Sequence, residues 1–175
     1  PISPSPHGGG VSVVTPTYLR PVEVQGLLEN LSRQTLPPAE LLLVDGAPES
    51  DQRTAQVVRE MQAMLPFAVR YIRHGGGTAI QRNVGIDAAC GDYIAFIDDD
   101  IRLDPEYFRI MTGVFETDKE MRSGGLAGYI VNQYLDPATS ARWRMFRAFR
   151  LFGTYEPGRY DYSSGYPINR YLHPP

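Results

Sequence analysis

From residue 11 onward the chain alternates short apolar runs with longer stretches in which apolar residues recur every three or four positions. Val11-Ser12-Val13-Val14-Thr15 is a β-branched run closed by Pro16, the pattern of a buried strand. Pro21 suits the first turn of a helix, and Val24, Leu27, Leu28 and Leu31 follow at helical spacing. Leu41 to Val44 predicts a second buried strand, ended by Asp45-Gly46. A helix is expected from about Ser50 to Leu65, with Val57, Val58 and Met61 on one face, and a third strand over Val69 to Ile72.

Past the Gly75-Gly76-Gly77 loop, Thr78-Ala79-Ile80-Gln81 has capping-box spacing and opens a helix to about Ala89, stopped by Gly91. Tyr93 to Ile97 is a fourth, almost wholly apolar strand followed at once by Asp98-Asp99-Asp100. Asp104-Pro105-Glu106 predicts a further helix start, with an Asp cap, Pro at the first helical position and an acid in the first turn. Strands alternating with amphipathic helices predict an α/β, Rossmann-like domain with a mainly parallel central sheet flanked by helices.

The ends read differently. Residues 1–10 are mostly Pro, Ser and Gly and are expected to be a flexible leader. Beyond Gly124 the regular pattern fades. Gly125 to Val131 reads as one more strand, Ala138 to Phe152 as a helix, and Gly153 to Pro175 as a tail rich in Tyr, Pro and Gly. The expected organisation is therefore a folded domain over 11–132 and a separate segment over 133–175.

Composition narrows the function. The 175 residues are enough for one domain with a proper core, and the 42% hydrophobic share argues against wholesale disorder. No apolar run reaches the roughly 18 residues of a membrane span, and PISPSPHGGG lacks the features of a signal peptide. With only Cys90, a disulfide scaffold is excluded. The formal net charge of −3 argues against nucleic acid as a partner. The charge is unevenly spread: residues 1–130 hold 11 of the 17 basic and 17 of the 20 acidic side chains, while 131–175 hold the remaining 6 and 3. The later, basic part includes Arg144, Arg147 and Arg150 at steps of three beside Trp143, Phe146 and Phe149. Over 141–152 this is the character of an interfacial helix touching anionic lipid, or of a helix packing its aromatics on the sheet.

Candidate chemistry sits where the strands end. In an open parallel sheet, ligands bind outside the carboxyl ends of the strands. Here those ends are Thr15-Pro16-Thr17-Tyr18-Leu19-Arg20, Asp45-Gly46 and Asp98-Asp99-Asp100, which a parallel arrangement brings to one edge. Three adjacent carboxylates repel one another. A hard divalent cation shared with a phosphate-bearing ligand would neutralise them through Asp98 and Asp100; a solvated acidic turn is the plainer alternative. Tyr18 either stacks on a flat base or packs on the following helix. Arg82 either holds a diphosphate or is a surface arginine, and His74, beside three glycines, is a ligand, a base or neither.

The ordered set VSVVTPTYLR, SRQT, LLLVDG, AIQRNVGIDAACGDYIAFIDDD and LDPEYF resembles the nucleotide-sugar half of glycosyltransferase family 2, whose members have the GT-A fold. The resemblance covers about residues 11–116. It implies that Pro16, Thr17 and Tyr18 wrap the nucleoside with Tyr18 beside the base, that Asp45 lies near the base or ribose, and that Arg82 faces the diphosphate or donor sugar. It also implies that Asp98-Asp99-Asp100 is the family's Asp-x-Asp motif. Asp98 and Asp99 would lie near the ribose and diphosphate, with Mn²⁺ or Mg²⁺ held by Asp100 first and by Asp98. The expected donor is a nucleotide-diphospho-sugar, a UDP-sugar ahead of a GDP- or dTDP-sugar. The expected acceptor is a saccharide or a lipid-linked hydroxyl, attacked with inversion, in the cytoplasm and at the inner membrane face if 141–152 touches lipid.

Three departures qualify the resemblance. Asp45-Gly46 stands where the family often has two acids. The acidic motif that supplies its general base has no counterpart, because the chain holds no Glu-Asp dipeptide and Glu156 and Asp161 fall too early. In Arg142-Trp143, Thr139 stands where processive members have Gln. The chain is therefore expected to be short of its catalytic base. The alternatives are a non-catalytic nucleotide-sugar-binding or membrane-associated module and a sugar nucleotidylyltransferase. The latter should carry a glycine-rich basic loop after the first strand.

Overall fold

The computed structural model describes residues 9–128. The leader over 1–8, residues 129–131 of the expected last strand, the boundary at 132, the expected helix over 138–152 and the tail over 153–175 lie outside the described residues. So do Glu156, Asp161 and every residue of the basic-aromatic segment 141–152.

The chain runs β1 (Val11–Thr17), α1 (Pro21–Ser32), β2 (Glu40–Asp45), α2 (Arg53–Met61) with a short 3₁₀ turn (Gln62–Met64), β3 (Ala68–Arg73), α3 (Thr78–Ala88), β4 (Tyr93–Phe96) and α4 (Tyr107–Thr117). The four strands form one sheet in the order β3-β2-β1-β4, and every pairing is parallel. The architecture is the α/β, Rossmann-like fold that the alternating pattern predicts. Register sets the ligand edge: Thr17 lies opposite Asp45, and Val14 opposite Phe96, so β1, β2 and β4 discharge their loops on the same side.

Pro16 does not close the first strand. β1 continues through it to Thr17 because Pro16 lies past the last β4 pair, Val14↔Phe96, on the side where no ladder bond is lost. Just ahead of β1, the Gly10 carbonyl accepts from the Tyr93 amide at 3.2 Å.

The core is built on one sheet face. Val11, Val13, Leu41 and Leu43 meet Val24, Leu27, Leu28 and Leu31 of α1, with Val58 of α2 and Phe108 of α4 closing the ends. The i, i+3, i+4, i+7 stripe of α1 is fully buried, and each such aliphatic side chain contributes about 1.5–3 kcal/mol. On the other face α3 lies so close to β1 that a Cβ on Gly85 would fall 2.3 Å from Val14 Cγ1, so this crossing requires glycine.

Four further expectations differ. The second helix is shorter than expected and gives way to the 3₁₀ turn at Gln62. The fourth strand ends at Phe96 and is an edge strand among the described residues, which leaves Ile94 and Phe96 partly exposed despite their apolar character. The last helix begins at Tyr107, because Asp104 Oδ1 accepts from the Glu106 amide in a turn just before it. Residues 125–128, the described part of the expected last strand, form no regular element.

At the far end of the sheet, Glu40 ties three elements. Its Oε1 accepts from Ser12 Oγ at 2.7 Å and from the Cys90 amide at 2.7 Å, and its Oε2 pairs with Arg70 at 3.4 Å. Burial alone would raise its pKa, but these donors together hold the carboxyl below its ordinary value.

Candidate functional site

A cavity of about 280 Å³ opens where β1 and β4 end. β1 contributes Pro16 and Thr17, and the loop after it contributes Tyr18 and Arg20. α3 adds Thr78 and Gln81, and the loop after β4 adds Asp98, Asp99 and Asp100. Between Tyr18 and Arg20, Leu19 takes the left-handed conformation at φ 57°, an uncommon state for a leucine and one of the kind found at binding sites. Tyr18 is 58% exposed and presents its ring to the cavity.

The three aspartates diverge. Asp99 is 3% exposed; its Oδ2 accepts from Thr17 Oγ1 at 2.7 Å and its Oδ1 pairs with Arg20 at 2.9 Å. Burial raises its pKa, outweighing the opposing pull of Thr17 and Arg20. The Asp98 and Asp100 side chains are both 52% exposed. Asp100 pairs with the other arm of Arg20 at 3.1 Å, and Asp98 pairs with Arg82 at 2.7 Å. Two guanidinium groups thus offset part of the charge of the three adjacent carboxylates.

The exposed carboxylates are hard oxygen donors. Among the described residues no three His, Cys, Asp or Glu side chains gather into a cage. Asp98 and Asp100 offer exposed carboxylate oxygens on either side of the buried Asp99. Mn²⁺ or Mg²⁺ fits such a sparse all-oxygen set, because it accepts one or two carboxylates and completes its shell with water and substrate phosphate.

Gln81 is the floor of the cavity. It is 4% exposed, and its Nε2 donates to the carbonyls of Thr17 at 3.0 Å and Val44 at 2.8 Å, joining the ends of β1 and β2. The capping box expected at Thr78–Gln81 is therefore absent: α3 starts after Gly77 (φ 89°) without a side-chain cap, since the Gln81 side chain is committed to the strand ends. Gly46 leaves room for this arrangement, as an added Cβ would meet Gln81 Nε2 at 3.1 Å and Tyr18 Cδ2 at 3.5 Å.

Of the expected site residues, Pro16, Thr17, Tyr18, Asp98, Asp99 and Asp100 line the cavity. Arg82 reaches it through its pair with Asp98, and its buried Nε finds no acceptor among the described residues. Asp45 is fully buried, and both of its oxygens serve the protein. Oδ1 accepts from the Ala47 amide at 2.8 Å, and Oδ2 from the Tyr71 hydroxyl at 2.7 Å. Burial, then that hydrogen bond, raises the Tyr71 pKa. His74 is exposed, with Nδ1 2.7 Å from the Gly75 carbonyl oxygen, and it does not line the cavity. Sequence reasoning missed Arg20, Thr78 and Gln81 as site residues. Arg20 carried a readable signal, a cation in the loop that faces an acidic strand end. Gln81 carried none, because nothing in its neighbours marks a glutamine for burial.

The family model described as glycosyl transferase family 2 matches residues 12–172. The chain is 31% identical over 172 residues to the uncharacterized glycosyltransferase YwdF of Bacillus subtilis, covering 93% of this chain and 59% of the relative. It is 36% identical over 96 residues to an uncharacterized glycosyltransferase of Haemophilus influenzae, covering 55% of this chain and 31% of that relative. The fold is similar to crystal structures of Staphylococcus aureus TarS in complex with UDP and with UDP-GlcNAc, at TM-scores of 0.52 and 0.51 and 27% identity. Each comparison covers 61% of this chain, and 32% and 31% of those chains respectively. The chain thus spans from about a third to three-fifths of the length of the relatives described.

Proposed function

Because the chain belongs to glycosyl transferase family 2, we propose that it forms the donor-binding part of an enzyme that takes a nucleotide-diphospho-sugar and passes the sugar to an acceptor hydroxyl with inversion. The observation that carries this reading is the convergence of Thr17, Tyr18, Arg20 and Asp98–Asp100 at the carboxyl ends of two neighbouring parallel strands, where open α/β sheets bind ligands. The donor is a UDP-sugar in this reading, supported by the UDP and UDP-GlcNAc complexes of the similar TarS fold. The acceptor is a saccharide or a lipid-linked hydroxyl. Among the described residues no helix is long and apolar enough to cross a membrane.

The roles follow from placement. Tyr18 offers its exposed ring to the base, and the Thr17–Asp99 pair braces the ribose side of the cavity. Arg20 and Arg82 stand beside the acidic loop as counter-charges for the diphosphate. Asp100 and Asp98 would hold Mn²⁺ or Mg²⁺, which when bound neutralises charge on the leaving nucleoside diphosphate. Asp45 acts one step back, fixing the turn at Gly46 and Ala47 that shapes the wall beside Tyr18.

The test is an assay of hydrolysis and transfer from UDP-, GDP- and dTDP-sugars, run beside binding of the same donors. Release of one nucleoside diphosphate with sugar delivered to water or acceptor is the expected result. Binding without turnover would reduce the reading to a donor-binding module, and no binding of any donor would refute it.

A further inference from the structure

Three carboxylates meet two guanidinium groups at the mouth of the cavity. Arg20 spans Asp99 at 2.9 Å and Asp100 at 3.1 Å, while Arg82 holds Asp98 at 2.7 Å. The cluster keeps a negative excess, yet neither half of a metal–diphosphate ligand fits it alone. A divalent cation approaching Asp100 has to displace Arg20 or sit beside its like charge. A diphosphate alone adds negative charge next to three carboxylates. Arriving together they resolve both conflicts, because the cation takes the Asp100 oxygen and the freed guanidinium takes a phosphate oxygen, which its planar fork suits.

Arg20 is built to make such an exchange. Its backbone anchors α1, with its carbonyl accepting from the Val24 amide at 3.1 Å, so the side chain can move without disturbing the helix. The side chain itself is 43% exposed and already faces the cavity.

We propose that Arg20 couples divalent-cation binding to donor binding: in the donor-free protein it occupies Asp100, and it moves to the diphosphate when cation and donor arrive together. This inference rests on the donor site proposed above. Coupling of this kind is reciprocal, so the cation tightens the nucleotide by the factor with which the nucleotide tightens the cation.

The experiment measures Mn²⁺ binding to the whole chain by electron paramagnetic resonance, with and without UDP, for wild type, Arg20→Gln and Arg20→Lys. In wild type, UDP should tighten Mn²⁺ about tenfold, within the usual range of coupling between sites. Arg20→Gln should bind Mn²⁺ alone several-fold more tightly than wild type and lose most of the enhancement by UDP. A gain of affinity is an outcome that a merely damaged fold does not produce. Arg20→Lys keeps the charge without the two-armed span and should fall between; if Arg20→Gln fails to fold, Arg20→Lys decides by the same criterion. Unchanged or weaker Mn²⁺ binding by the variants, with wild type binding both ligands, overturns the coupling and leaves the donor site standing. If wild type binds neither Mn²⁺ nor UDP, the donor site itself fails and the coupling with it.

Discussion

Thr17 Oγ1 donates to Asp99 Oδ2 across 2.7 Å, tying the last residue of β1 to the acidic loop after β4 over a separation of 82 residues. The bond fixes which aspartate of the three is inside. With Asp99 buried against Thr17 and Arg20, Asp98 and Asp100 are turned outward, one on each side.

Thr17→Val removes that donor and keeps the shape of the side chain. Asp99 is then buried with one partner fewer, at a cost of about 1–3 kcal/mol near neutral pH. The sign with pH follows from the raised pKa of Asp99. A raised carboxyl costs stability once it is ionised, and that cost is relieved as pH falls through the folded value. The deficit of Thr17→Val relative to wild type should therefore shrink toward pH ~4, whereas Thr17→Ser should stay close to wild type throughout. Urea unfolding across that range is the check, and a deficit independent of pH contradicts the assignment.

Gln81→Leu tests the cavity floor. It removes the two buried hydrogen bonds from Gln81 to the Thr17 and Val44 carbonyls, worth about 0.5–1.5 kcal/mol each, while Thr17 keeps the Gly46 amide as a donor. The loosened β1 end should also weaken nucleotide binding. Gln81→Glu is the sharper variant, because a carboxylate cannot donate to either carbonyl and adds negative charge to a cavity already lined by three aspartates. Thermal unfolding and nucleotide titration should show both variants impaired; normal nucleotide affinity in Gln81→Leu would remove Gln81 from the site.

Glu40 predicts an effect on stability alone. Its depressed pKa contributes stability that is present above the unfolded value of about 4.5 and is lost as pH falls through the folded value. Glu40→Gln should cost about 2 kcal/mol near neutral pH and show a flatter acid limb, so the two proteins converge in strong acid. Nucleotide binding should be unchanged, since Glu40 sits at the start of β2, away from the ligand edge. A loss of binding in a folded Glu40→Gln protein would contradict that separation.

The sheet was legible because buried parallel strands are read from runs such as Leu41–Val44 and helices from stripes such as Val24 to Leu31, and both signals are local. The acidic loop was legible for the same reason, as three charges directly after an apolar strand are conspicuous. The long-range pairings were not. Nothing near Gln81 announces that its amide will join two strand ends, and its spacing from Thr78 pointed to a cap. Asp45 has long-range partners that were equally hidden. Its position at a strand end suggested ligand contact, and nothing local announced that Tyr71, brought in by β3, and the Ala47 amide of the following turn would bond its two oxygens.

The central claim is that the cavity between β1 and β4 binds a nucleoside diphosphate with a divalent cation. Calorimetric titration of UDP into wild type and Asp100→Ala, each with and without Mn²⁺, tests it most directly, with GDP and dTDP as comparisons. The account predicts UDP binding to wild type that Mn²⁺ strengthens about tenfold or more, and loss of that Mn²⁺ dependence in Asp100→Ala. Absence of binding by all three nucleotides, or an undiminished Mn²⁺ effect in Asp100→Ala, would contradict it.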